Sequence, residues 1–144
     1  WFISKFYRAF EEKYGAVFVW SMYSIFLSDG YRRYFNDEPG QAMRALASRH
    51  VSMNEQLHVP PWMADWISEQ ARIYGADGAV MLTPTHDRMA SFGNRMTKLA
   101  LEAAGIPVVE LKANMVDARL WDDAAMTRAV EDFIENRIQA NKQK

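Results

Sequence analysis

The sequence predicts an α/β domain built on a parallel sheet flanked by helices. Two observations carry this expectation. An amphipathic helix that runs into a glycine and then into a short β-rich stretch occurs three times, as EEKYG-AVFVW, ARIYG-ADGAVML and LEAAG-IPVVEL. Residues 74–111, YGADGAVMLTPTHDRMASFGNRMTKLALEAAGIPVVEL, hold strand, loop, helix, glycine stop and second strand in succession, which is a βαβ unit. Parallel neighbours need crossover connections, and these are right-handed, so helices are expected on the sheet faces.

Taken in order, WFISKFYRAFEEKYG reads as an amphipathic helix stopped at Gly15, followed by a strand over residues 16–20. A short helix is expected over 31–35 and a turn at NDEPG, residues 36–40. Gln41 opens a helix to about His50, with the segment to Val59 either continuing it or bending. Pro60-Pro61 opens the next helix, 62–74, because proline is tolerated in a first turn. Its stripe of Trp62, Trp66, Ile67, Ala71 and Tyr74 reads as core packing. Residues 79–82 form an apolar run, as in a strand buried on both faces. The polar stretch 83–88 follows, and then a helix over 91–104 with Phe92, Met96, Leu99 and Ala103 on one face. Gly105 stops it, Pro107 prevents its continuation, and a strand is expected over 108–111. A last helix starts near Trp121, capped by Asp122, and runs to about Ile138 with Met126, Val130, Phe133, Ile134 and Ile138 as its apolar face.

The chain has 144 residues, 49% of them hydrophobic, so residues 1–144 are expected to form a single domain with a true core. It opens at Trp1 in mid-pattern, without an initiator Met or a helix cap, and reads as a piece of a longer protein. A net charge of −1 supplies no basic field, so neither nucleic acid nor an anionic membrane is an expected partner. No apolar run approaches the roughly 20 residues needed to span a bilayer, and no secretory cleavage pattern is present. Zero cysteines exclude disulfides, and exclude a thiolate-held zinc or iron–sulfur site made by this chain alone. No glycine-rich phosphate fingerprint follows any predicted strand, and no nucleophile elbow supports a hydrolase.

In open parallel sheets, ligands bind outside the carboxyl ends of the strands. The three predicted strand ends deliver WSMYS (20–24), TPTHDR (83–88) and ANMVDAR (113–119) to that edge. His86, Asp87 and Arg88 are its densest polar triplet: imidazole, carboxylate and guanidinium could together bind an anion, ligate a metal or move a proton. The alternative is that Asp87 caps the following helix while Arg88 is solvated. Ser21, Met22 and Tyr23 approach from the first strand end and Asn114 from the third. His58, with Glu55 and Asn54, either faces the cleft or forms a local turn. Asp117 and Arg119 are spaced for an ion pair that orders the last of these loops.

The stretches AFEEKYGAVFVWSMYS, RALASRHVSMNEQLHVPPWMADWI, YGADGAVML, SFGNRM and ALEAAGIPVVELKANMVDARLWD resemble the C-terminal region of the 2-hydroxyacyl-CoA dehydratase family. This family includes the 2-hydroxyglutaryl-CoA dehydratase D-component type and also benzoyl-CoA reductase subunits. The resemblance runs from about Phe10 to Ile138, and YGADG before an apolar strand and AGIPVVEL before MVDAR are its most specific pieces. It implies a flavodoxin-like (Rossmann-like), three-layer α/β domain at the C-terminal end of a longer cytoplasmic subunit. It also implies a related subunit as partner in a heterodimer and an ATP-dependent activator protein that injects one electron. The implied substrate is a CoA thioester, which loses water by way of a ketyl radical; in a reductase-type subunit a ring is reduced instead.

Relatives hold a [4Fe–4S] cluster on cysteines, and the flanking match places Asp87 at one of those cysteine positions, between His86 and Arg88. Three readings follow: Asp87 ligates iron whose other ligands lie outside this chain, the subunit supports a cluster-bearing partner, or the chain has turned to other chemistry. A hard carboxylate replaces soft thiolate poorly, which favours loss or alteration of the cluster. On this reading Asp87, His86 and Arg88 line the catalytic position, and Ser21, Met22, Tyr23 and Asn114 contact substrate. Only Asp87 is carried over by the resemblance; the others rest on topology.

Overall fold

A computed structural model of the chain describes residues 4–21, 40–53, 62–86, 91–114 and 117–140. The elements are α1 (Ser4–Tyr14), α2 (Gln41–Met53), α3 (Trp62–Ile73), β1 (Ala79–Pro84), α4 (Asn94–Ala103), β2 (Val108–Ala113) and α5 (Asp123–Phe133). A 3-10 turn, Ala118–Leu120, precedes α5, and a π-helical segment, Ile134–Gln139, continues it. The expected helix at 31–35, the turn at 36–39 and His58 with its neighbours lie outside the described residues.

The centre is the expected βαβ unit. β1 and β2 pair in parallel from Ala79↔Val108 to Pro84↔Ala113, with α4 as the crossover. The helices before the two strands end alike. Gly75 (φ +60°) and Gly105 (φ +80°) take the left-handed conformation that closes a helix, which is strained for residues with a Cβ. Ala76 N–H then donates to Ala71 O and Ile106 N–H to Leu101 O, both at 2.9 Å, satisfying carbonyls that each helix end would orphan.

Alternate strand residues feed two apolar clusters. Ala79, Met81 and Val108 join Leu101 and Ile106 with Ile67 and Ala71 of α3. Val80, Val109 and Leu111 join Phe10 of α1 and Val130 and Ile134 of α5. Apolar packing on both faces is why Ala79–Met81 and Val108–Val109 lack the polar alternation of a half-exposed strand, while Leu82, 39% exposed, and Glu110 mark where that cover ends. The predicted stripe of the last helix is realised: Val130 and Ile134 are buried in the second cluster, with Met126 and Ile138 packed on it. Asp122 caps α5, its Oδ1 accepting from Ala125 N–H at 2.9 Å. α1 is clasped to the far end of the same helix by Lys13 Nζ to Glu131 Oε1 at 2.7 Å and by the Tyr14 hydroxyl donating to Glu135.

Gly78 has a different role from the helix-closing glycines. A Cβ built there would lie 2.9 Å from both Phe133 Cζ and Ile138 Cδ1. The start of β1 therefore passes against α5 and its π-helical continuation at a distance only a hydrogen allows.

Two expectations are corrected. Residues 16–20 form no strand: among the described residues the sheet has two strands, and Val17 and Val19 are exposed. The run makes side-chain contacts in place of a backbone ladder. Ala16 packs on the α1–α5 cluster, Phe18 lies with its ring centroid 4.6 Å from that of Tyr7, and Trp20 lies 5.5 Å from Trp66 of α3. High β-propensity reports a fit to a pleated neighbour, and no described strand is that neighbour here. The second correction concerns α4, which begins at Asn94 after Gly93 (φ +91°). Its buried residues are Thr97 and Leu101, whereas Phe92, Met96, Leu99 and Ala103, the face that sequence spacing picks out, are exposed. Among the described residues no helix is long and apolar enough to cross a membrane.

Candidate functional site

Because β1 and β2 are parallel and in register, their carboxyl ends finish side by side at the pair Pro84↔Ala113. Thr85 N–H donates to Ala113 O at 3.0 Å and carries the ladder one residue further. Thr85 and Asn114 thus leave the two strands level with one another, and His86 follows Thr85; His86 is exposed and Asn114 half-buried. The Asn114 side chain is committed on one side, its Oδ1 accepting from Asp117 N–H at 2.8 Å, which turns the chain away from β2.

Asp117 then closes the 3-10 turn. Its Oδ1 accepts from Arg119 N–H at 3.0 Å and from Nε at 2.9 Å, and its Oδ2 from Nη2 at 2.7 Å. This is the ion pair that the spacing predicts, in fork geometry. The Arg119 guanidinium, and then its backbone N–H, hold the Asp117 carboxyl below the ordinary carboxylate range.

One polar chain at this edge is not apparent from the sequence. Thr83 Oγ1 donates to Glu110 Oε1 at 2.7 Å and accepts from Asn94 Nδ2 at 3.1 Å. It ties both strands to the first turn of α4. A signal exists in retrospect: Thr83 and Glu110 are polar residues on the strand face otherwise carrying Ala79, Met81 and Val108, but their pairing becomes visible only with the register. α4 enters here with Gly93 at its N-cap and no side-chain capping bond. Its first-turn amides thus lie at the strand ends without a side-chain acceptor from the cap, an arrangement that favours anions.

Of the predicted site residues, His86 and Asn114 both follow the carboxyl ends of the paired strands. Ser21 is exposed and follows Trp20, which lies against Trp66 near the start of α3. Met22, Tyr23, Asp87 and Arg88 fall outside the described residues. No group of three or more His, Cys, Asp or Glu able to hold a metal is found among the described residues. The donors at the edge are imidazole, amide, hydroxyl and carboxylate, and the 144 residues contain no thiol. This set does not fit a thiolate-held iron–sulfur cluster.

The carboxyl ends of a parallel strand pair, with a helix starting beside them, are where open α/β folds place their ligands. The particular family follows from comparison. Residues 1–136 match the family described as 2-hydroxyglutaryl-CoA dehydratase, D-component, and the chain belongs to it. Membership supports a dehydratase-type subunit, and a D-component implies a partner subunit in the dehydratase complex. No curated protein and no solved structure matches the chain.

Proposed function

We propose that this chain forms the acyl-CoA-facing part of a 2-hydroxyacyl-CoA dehydratase-type subunit, with the carboxyl edge of β1 and β2 lining the thioester site. The observation that supports this reading is the in-register ending of the two strands at Pro84↔Ala113, with Asn114 directly following β2 and His86 two residues beyond β1, and with Asn94 of α4 bonded to Thr83 at the same edge. The Asn114 amide and the His86 imidazole are groups of the kind that hydrogen-bond a thioester carbonyl. The α4 amides suit the anionic part of a CoA. In this reading Asp87 and Arg88, next in sequence to His86, belong to the catalytic position, and Ser21, Met22 and Tyr23 to the substrate-binding set.

The chemistry consistent with the family is loss of water from a 2-hydroxyacyl thioester, in which the β-proton is scarcely acidic without prior one-electron reduction. The ATP-dependent activator, the flavodoxin-like three-layer architecture and the related partner subunit belong to this reading. A [4Fe–4S] cluster would need thiolates from outside these residues, so the part played here is binding and orientation. The missing thiols also favour a second reading, a supporting subunit whose cluster-bearing partner performs the reaction.

The test is acyl-CoA binding and turnover by the assembled enzyme, purified without oxygen, with iron and sulfide measured in each subunit. Asn114→Asp keeps the acceptor for Asp117 N–H but removes the amide donors, and with His86→Ala it should weaken thioester binding about tenfold, roughly 1.4 kcal/mol. Unchanged binding and turnover in both variants would remove this edge from the site. Iron confined to the partner, with thioester binding also unaffected by these changes, would establish the supporting-subunit reading.

A further inference from the structure

The loop after β2 holds one charged group in a fixed orientation. Asn114, which directly follows β2, accepts from Asp117 N–H at 2.8 Å, so Asp117 stays close to the strand end. Asp117 in turn grips Arg119 at three points: the backbone N–H at 3.0 Å, Nε at 2.9 Å and Nη2 at 2.7 Å. Trp121 closes the 3-10 turn, its N–H donating to Ala118 O at 3.2 Å, and its ring lies 5.8 Å from that of Phe6 in α1. Both ends of the loop are thus anchored. An ion pair this exposed, with the Arg119 side chain 88% accessible, stabilises a fold little. Its effect is to fix a guanidinium whose long side chain would otherwise sample many rotamers.

That guanidinium is only half used. Its five N–H donors lie in one plane, and Asp117 takes those of Nε and Nη2 along one side. The outer edge, one N–H from each terminal nitrogen, has no hydrogen-bond partner among the described residues. It presents two parallel donors spaced for the two oxygens of a carboxylate or a phosphate. Neither Lys112 on β2 nor Arg95 in the first turn of α4 is clamped in this way by another described residue. We infer that Arg119 is a specificity residue whose outer edge holds an anionic oxygen pair of the acyl-CoA, with Asp117 as its positioning residue. The role presupposes the thioester site proposed at the strand ends. Two parts of such a ligand offer this chemistry: the phosphates of CoA, and a carboxylate at the far end of the acyl chain.

Three probes separate these sources when binding to the assembled enzyme, purified without oxygen, is measured. Glutaryl-CoA carries both groups, pentanoyl-CoA the phosphates alone, and glutaryl-pantetheine the carboxylate alone. Arg119→Gln should weaken glutaryl-CoA about tenfold to hundredfold, the range for a hydrogen bond to a charged group. It should weaken by the same factor whichever of the other two keeps the anion that Arg119 holds, and leave the third unchanged. Arg119→Lys keeps the charge without the two-donor edge and should recover only part of the loss. Asp117→Asn loosens the fork and should weaken the same ligands by a smaller factor, a selectivity that general damage to the loop would not produce. Arg119→Gln protein that binds all three probes as the parent does would overturn the inference, and so would equal weakening of all three. His86→Ala and Asn114→Asp, measured alongside, separate the two assignments. If they weaken binding and Arg119→Gln does not, the strand-end site stands and the role of Arg119 falls; if none of the variants weakens binding, both fall.

Discussion

Replacing Gly78 by alanine tests whether the start of β1 is held against α5 as tightly as the structure shows. The added methyl would sit 2.9 Å from Phe133 Cζ, 2.9 Å from Ile138 Cδ1 and 3.0 Å from Phe133 Cε1. Carbon atoms in contact prefer about 3.5–4.0 Å, so the ring has to retreat by roughly 0.5–1 Å. Phe133 is only 6% exposed and has little room to do so. Overpacking of this kind costs about 1–3 kcal/mol. The loss of chain entropy in the unfolded state offsets roughly 0.4–1 kcal/mol of that. A net destabilisation of ~1–2 kcal/mol is expected, read as a urea midpoint lower by roughly 0.5–1 M at an unchanged slope. Trimming the clash with Phe133→Leu should cost less in the Gly78→Ala background than in the parent, a coupling that a double-mutant cycle isolates. Gly75→Ala, where φ is +60° and open space surrounds the position, should be destabilising with no such coupling to Phe133. A Gly78→Ala protein as stable as its parent would refute the close approach.

Two further outcomes follow from the polar contacts at the strand ends. The folded-state pKa of Asp117 is depressed by Arg119, so its contribution to the loop is complete above the unfolded carboxylate value of about 4 and is lost as pH falls through the lower, folded value. An NMR titration of the Asp117 carboxyl should show this, and Arg119→Ala should move its midpoint upward; an unmoved midpoint would mean that the fork does not persist in solution. Thr83→Val removes the hydroxyl that links Glu110 to Asn94 at nearly constant shape, and should cost about 1 kcal/mol. Hydrogen exchange should become faster in the first turn of α4 while the protection of Leu101 holds, and uniform loss across the helix would argue for a packing defect instead.

Much of the fold can be read from local chemistry. The βαβ unit follows from a glycine stop placed before each apolar run, and Gly75 and Gly105 do adopt the left-handed conformation expected of them. The cap at Asp122 and the pair Asp117–Arg119 depend on residues two or three positions apart, so spacing alone suffices to predict them. The misread features depend on distant neighbours. AVFVW has strand composition, yet its aromatic side chains settle on Tyr7 and Trp66, a choice composition cannot disclose. Hydropathy also points the wrong way on α4, because one of the two residues it buries is Thr97 while Phe92 faces solvent. Within the site, topology is enough to place His86 and Asn114 after the carboxyl ends of two neighbouring strands. The chain Asn94–Thr83–Glu110 requires the register of two strands and the entry point of a helix, and none of these is local.

The clasp between α1 and the end of α5 has a consequence for biosynthesis. Lys13 and Glu131 are 118 positions apart, and Phe10, 1% exposed, is packed in one cluster with Leu111, Val130 and Ile134. At ribosomal rates of about 5–20 residues per second, roughly 6–24 s separate the emergence of the two halves of this contact. During that interval Phe6, Phe10 and Tyr14 have none of their α5 partners to pack on. α1, made well before α5, is thus among the last of these elements to find its place, and the nascent chain carries an uncovered aromatic face that a ribosome-associated chaperone would be suited to hold.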